Sequence, residues 1–194
     1  MVLSRQSEKQ LLRKEKLHAR SSLEAKRRAL ADHAILERLE ALPEYRAAKV
    51  VAAYASDGTE PDLMPLLKRA VSDGKTVCLP RWRCDLCYEM AVADREFTLV
   101  EGKWKMPEPP PEAATVPDSE LKKALWLVPG VAFDENGGRL GRGKGIYDRL
   151  LEQAAGTVAG IFYECQKTAA LPLEPHDRPL DLVVTERAVY RRKQ

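Results

Sequence analysis

Five short apolar runs punctuate the chain: Lys49–Tyr54, Thr76–Leu79, Ala124–Val128, Thr157–Phe162 and Leu182–Thr185. Runs of this length, rich in branched residues and bounded by Pro, Gly, Ser or Asp, predict strands buried on both faces. Residues 5–20 follow another pattern, polar and basic with Leu11, Leu12 and Leu17 as a sparse apolar side, and predict a helix. Ser21 or Ser22, followed by Glu24, is placed to cap a second helix running through about Leu39. Pro61 is expected to open a helix to about Ser72, which Asp73-Gly74 ends. Pro80 is expected to stop the strand begun at Thr76, and Tyr88–Ala93 to pair with Thr98–Val100 as a hairpin. Strands alternating with helices predict a three-layer α/β/α domain. Its central sheet should be mostly parallel or mixed, with N-terminal helices, and residues 1–194 should form a single unit.

Composition narrows this picture a little. With 194 residues, 44% of them hydrophobic, the chain can bury a sizeable core. Lys and Arg number 32 against 29 Asp and Glu, a net charge of +3 too small to name a partner. Much of the positive charge lies in the first 28 residues. There Lys9, Arg13, Arg20, Arg27 and Arg28 read either as a solvated face or as a binder of phosphates. Lys9 and Arg13 stand four apart and can close on one polyphosphate. No nucleic-acid-binding motif accompanies them, so a basic nucleic-acid module is not expected. No apolar run is long enough to cross a bilayer and the N-terminus is charged, which predicts a soluble, cytoplasmic protein without a membrane partner. Cys84 and Cys87 have metal or redox spacing, but no second pair and no nearby His completes a zinc site. All four cysteines are expected to be reduced thiols.

The chemistry concentrates after the third apolar run. Pro129-Gly130 ends that strand, and in the loop beyond it Gly137, Gly138, Gly141, Gly143 and Gly145 are interleaved with Arg139, Arg142 and Lys144. A helix is expected from Tyr147 onward. Glycines let backbone N–H groups turn toward an anion, and the cations and a helix N-terminus add positive charge. The pattern predicts a phosphate cradle rather than a plain flexible turn. It is not a Walker A loop, because Gly145 stands where that motif needs Ser or Thr. Open α/β sheets bind ligands beyond the carboxyl ends of their strands, which puts Glu60 and this loop on one rim. Taken alone, Glu60 reads more readily as a helix-start carboxylate favoured by the dipole than as a ligand. Trp104, in an irregular segment, suits either the wall of a ring-binding pocket or a core edge.

Taken together, these pieces resemble the 5-formyltetrahydrofolate cyclo-ligase family over nearly the whole chain. The resemblance runs from Lys9-x-x-Leu12-Arg13 through Tyr54–Glu60, Leu79-Pro80-Arg81 and Glu108-Pro109. It is strongest across Val128–Asp134 and Arg139-Leu140-Gly141-x-Gly143-x-Gly145-x-Tyr147-Asp148-Arg149, and closes on Gln166, His176-Asp177 and Val183–Glu186. It implies a monomeric enzyme that uses ATP to cyclise 5-formyltetrahydrofolate to 5,10-methenyltetrahydrofolate. Lys9, Arg13, Gly141, Arg142, Gly143, Lys144, Gly145, Ile146 and Tyr147 would hold ATP. Ala55, Glu60, Trp104, Ile146 and Tyr147 would contact the folate, and Asp148 and Asp177 would bind Mg²⁺, with Asp181 as an alternative to Asp177. Arg142 and Lys144 would stabilise the transferring phosphoryl group. One position departs from the pattern: the family commonly has a second tyrosine where this chain has Ile146. The departure leaves room for a folate-binding relative with little or no turnover.

Overall fold

The structure, a computed structural model, describes residues 4–84, 87–171 and 178–193. Helices α1 (Arg5–Ser21), α2 (Ala25–Ala41) and α3 (Pro43–Ala47) precede strand β1 (Val50–Ala52). Then come α4 (Met64–Ser72), β2 (Thr76–Cys84), β3 (Cys87–Val92), β4 (Val100–Glu101), β5 (Pro107–Glu108) and α5 (Asp118–Leu121). The remainder is β6 (Leu125–Val128), β7 (Ala132–Phe133), β8 (Arg139–Leu140), α6 (Ile146–Leu150), β9 (Val158–Ile161), β10 (Leu182–Val184) and β11 (Val189–Arg191).

The five apolar runs become β1, β2, β6, β9 and β10, the parallel centre of a seven-stranded sheet ordered β11-β10-β9-β6-β1-β2-β3. β3 and β11 join antiparallel at the two margins. Every residue of β1, β6, β9 and β10 is buried, as strands covered on both faces require. On one face Ile35 and Leu39 of α2 and Leu66 and Leu67 of α4 pack on Val51, Val77, Leu127 and Ile161. Trp126, Val158, Leu151 and Phe162 fill the other. Each buried Leu or Phe contributes about 1.5–3 kcal/mol. The fold is therefore the expected α/β class. Among the described residues no helix is long and apolar enough to cross a membrane.

Several local expectations fail for identifiable reasons. Ser22 ends α1 instead of capping α2, whose N-cap is Glu24. Helix α4 starts at Met64, not Pro61, because the Tyr54 hydroxyl donates to the Pro61 carbonyl and Asp62 Oδ1 accepts from the Met64 N–H. Strand β2 continues through Pro80 to Cys84. Its pairing with β1 ends at Cys78, so at Pro80 one side of the strand is an open edge where a missing N–H is tolerated. The partner of Tyr88–Val92 is β2, and Val100–Glu101 pairs instead with Pro107–Glu108. That antiparallel β2–β3 ladder sets Cys84 opposite Cys87, with Cα atoms 4.9 Å apart, and the two form a disulfide where free thiols were expected.

Candidate active site

Strands β1 and β6 are neighbours, yet from β1 the chain moves on to β2 and from β6 to β9, on opposite sides. Such a switch point opens a crevice beyond the carboxyl ends of the two strands. A cavity of about 440 Å³ lies there. Its walls come from the segment after β1, the segment after β6, the first turns of α1, and the stretch around Trp104.

The wall after β1 is a tightly bonded turn. Asp57 Oδ1 accepts from the Thr59 N–H at 2.8 Å, the Thr59 hydroxyl at 2.7 Å and the Glu60 N–H at 3.0 Å. The Ser56 hydroxyl donates to the Glu60 carbonyl at 2.8 Å. The turn holds Glu60 as a buried carboxylate, 6% exposed. Arg20 of α1, 1% exposed, reaches under it: Nη2 donates to Thr59 Oγ1 at 2.8 Å and Nη1 to the Gly130 carbonyl at 3.2 Å. The same guanidinium lies 3.5 Å from Glu60 Oε1 and 3.4 Å from Asp57 Oδ2. Burial opposes ionisation of Asp57, but the Thr59 hydrogen bonds and the charges of Arg142 and Arg20 outweigh it and hold the carboxyl at about 2. Burial, reinforced by the charge of Asp57, pushes Glu60 above the usual carboxylate range against the pull of both arginines.

The opposite wall is the glycine loop. Asp134, 3% exposed, accepts from the N–H groups of Asn136 and Gly138 and shapes the β7–β8 hairpin that launches it. Gly143 (φ +86°) and Gly145 (φ +63°) adopt left-handed conformations that only glycine holds without strain. Helix α6 is five residues long, so its dipole is weak and the loop's positive character comes mainly from side chains. Arg142 Nη2 pairs with Asp57 Oδ2 and lies 3.3 Å from Glu60 Oε1. Lys144 Nζ sits 3.1 Å above the centroid of Trp104, a cation–π contact across the cavity mouth. From α1, Arg13 Nε donates to the Gly141 carbonyl at 2.9 Å. Burial, then the charge of Glu60, raises the Tyr147 phenol and keeps it a neutral hydrogen-bond donor.

Most of the residues assigned to ATP, folate or Mg²⁺ in the sequence meet in this cavity: Lys9 and Arg13, Ala55 and Glu60, Trp104, and Gly141 through Asp148. Asp181, the alternative metal ligand, does not line it; its Oδ2 accepts from the Val158 N–H at 2.8 Å. Asp177 lies outside the described residues. Glu60 is not at a helix start, since α4 begins four residues later. Trp104 is 61% exposed at the cavity mouth rather than packed on a core edge. Arg20 is not on a solvated face. It is the chief residue that sequence reasoning missed, although its seven-residue spacing from Arg13 puts both on one side of a helix. Asp148 forms an ion pair with Arg139. Among the described residues no three His, Cys, Asp or Glu side chains converge on a metal position. Asp148, half exposed and with a second carboxylate oxygen, fits the one or two carboxylates that Mg²⁺ takes when phosphates and water complete its shell.

A parallel-centred sheet with a cation-bearing glycine loop at its switch point is the architecture of an enzyme acting on small molecules. A model of the 5-formyltetrahydrofolate cyclo-ligase family matches residues 5–186, and the chain belongs to that family of ligases. It is 35% identical over 146 residues to the 5-formyltetrahydrofolate cyclo-ligase of Mycolicibacterium smegmatis, covering 71% of this chain and 73% of that protein. The solved 5,10-methenyltetrahydrofolate synthetase of Aquifex aeolicus superposes with a TM-score of 0.84 at 35% identity, over 96% of this chain and 93% of that one. The synthetase of Mycoplasma pneumoniae gives 0.72 at 25% identity, over 92% and 98%.

Proposed function

We propose that this protein cyclises 5-formyltetrahydrofolate to 5,10-methenyltetrahydrofolate, with cleavage of ATP to ADP and phosphate. One observation carries the reading. A single cavity is lined on one side by a glycine loop bearing Arg142 and Lys144, and on the other by buried Glu60 among apolar and aromatic groups such as Tyr88, Met106 and Pro107. A phosphate chain suits the first wall and a flat, N–H-rich ring suits the second.

The chemistry follows from that adjacency. Lys9, Arg13 and the loop position the triphosphate, and Glu60 accepts hydrogen bonds from ring N–H donors. The formyl oxygen attacks the terminal phosphorus and ADP leaves, so a poor leaving oxygen becomes part of a phosphate ester. The N10 amine then attacks the activated carbon, phosphate departs, the amine proton is lost, and the methenyl bridge is closed. Arg142 and Lys144 stabilise charge spread over the transferring phosphoryl oxygens. Mg²⁺, held by Asp148 with Asp177, would supply further neutralisation of the phosphates. The direct test mixes protein, MgATP and 5-formyltetrahydrofolate and follows methenyl absorbance. Product that depends on ATP supports the reading. Folate binding without product would instead mark a binding protein, the alternative that Ile146 in the cavity wall leaves room for.

A further inference from the structure

We infer that Arg20 is a positioning residue for the folate-side carboxylate, a buried counter-ion that keeps Glu60 ionised and aimed when Arg142 turns to phosphate. The inference rests on the reading of Glu60 as the ring's acceptor. Two cations serve two carboxylates in this cluster. Arg142 bridges Asp57 and Glu60 from the glycine loop, and its side chain is 49% exposed. Arg20 serves the same pair from beneath, with a side chain 2% exposed. A half-exposed arginine on a glycine loop can move to an incoming phosphate. A guanidinium fixed by the Thr59 hydroxyl and the Gly130 carbonyl cannot.

The geometry makes the assignment specific. If Arg142 leaves, Asp57 and Glu60 remain as two carboxylates on one four-residue turn, with Arg20 as their shared cation. Like charges this close drive one group to take up a proton unless a cation offsets them. A protonated Glu60 loses acceptor capacity toward ring N–H donors. Tyr54, two residues beyond β1, and the partly buried Tyr147 of α6 are phenols whose ionisation the charge of Glu60 opposes. Among the cations that line the same cavity, Arg13 is held by the Gly141 carbonyl, Arg139 pairs with Asp148 and Lys144 lies on Trp104. Arg20 also ties the two substrates to one element, because α1 carries Lys9 to the cavity wall, Arg13 to the glycine loop and Arg20 to Glu60.

The test compares wild type with Arg20→Met and Arg20→Lys. The ¹³C-carboxylate titration of Glu60 is followed by NMR in each protein alone, and folate and ATP KM values are measured across pH. Arg20→Met should shift the Glu60 midpoint toward neutral pH and raise the folate KM about tenfold or more, most strongly at acid pH, with the ATP KM within about twofold. Arg20→Lys should restore the midpoint while recovering only part of the affinity, because an ammonium cannot reproduce the forked contacts. An unmoved Glu60 midpoint in a folded Arg20→Met protein, or equal loss toward both substrates, overturns the inference. Should Arg20→Met not fold, Arg20→Lys decides alone: a folate KM that is higher overall but rises on the acid side at the same pH as in wild type supports the charge role, and an acid limb moved toward neutral pH refutes it. A wild-type protein that makes no methenyl product refutes the proposed function instead, and the Glu60 titration still reads Arg20.

Discussion

Ser56 and Asp57 stitch the turn after β1 together with five hydrogen bonds of its own, whereas the loop Gly141–Gly145 is secured from outside, by Arg13 and Arg149 on two of its carbonyls. The first wall presents one buried carboxylate in a fixed place. The second presents exposed cations on a backbone that glycine leaves free to adjust. The difference matches what each wall is proposed to hold. A rigid ring is recognised by groups already in position, while a phosphoryl group in transfer changes shape and charge and is followed by its partners. Both exposed loop cations are engaged across the cavity, Arg142 on Asp57 and Glu60 and Lys144 on Trp104. The two walls are therefore linked through the very groups that phosphate would claim.

The largest expected effect comes from breaking that link on the adjustable side. Arg142→Met should lower kcat about 10²–10³-fold, the scale of losing one preorganised charge stabiliser, in a protein that still folds. A kcat within fivefold of wild type would remove Arg142 from the chemistry. Lys144→Ala should lower kcat/KM for ATP about tenfold, as expected for one charge-assisted phosphate contact. It should also change Trp104 fluorescence before any substrate is added, because the ammonium lies on that ring. Normal kinetics with altered fluorescence would reduce Lys144 to a lid contact.

How far the sequence reached can be judged on these same residues. The parallel strands were legible because burial on both faces leaves an unbroken apolar run, as Leu125–Val128 shows. The glycine loop was legible because glycine, cations and a strand end follow one another in the chain, whereas Ala55 was reached only through the family resemblance and Trp104 stayed open between pocket wall and core edge. What escaped were relations between distant segments. Nothing near Arg20 in sequence announces Asp57, 37 residues away, or Gly130, 110 residues away. The reach of β2 past Pro80 depends on where its neighbour stops, and the Cys84–Cys87 bond on the ladder that follows.

Two smaller effects sharpen the contrast between the walls. Ile146→Tyr, on the adjustable side, should lower the folate KM about fivefold, the worth of one hydrogen bond or aromatic contact of about 1 kcal/mol. A higher KM with a lower Tm would show a wall repacked around isoleucine. Asp57→Asn, on the stitched side, should mainly affect stability. A carboxyl held at about 2, against an ordinary 3.8, stabilises the fold above its ordinary range and loses that contribution as pH falls toward 2. The Tm gap between wild type and Asp57→Asn should therefore be widest near neutral pH and close on acidification. A gap independent of pH would mean that the hydrogen-bonding shape of Asp57 matters and its charge does not.

The central claim is that phosphate is carried on the formyl oxygen, and oxygen labelling tests it most directly. 5-Formyltetrahydrofolate bearing ¹⁸O in its formyl group is converted in unlabelled water with MgATP, and the released phosphate is analysed by mass spectrometry. The account predicts one ¹⁸O in each phosphate formed with the methenyl product. Methenyl product accompanied by unlabelled phosphate would contradict it.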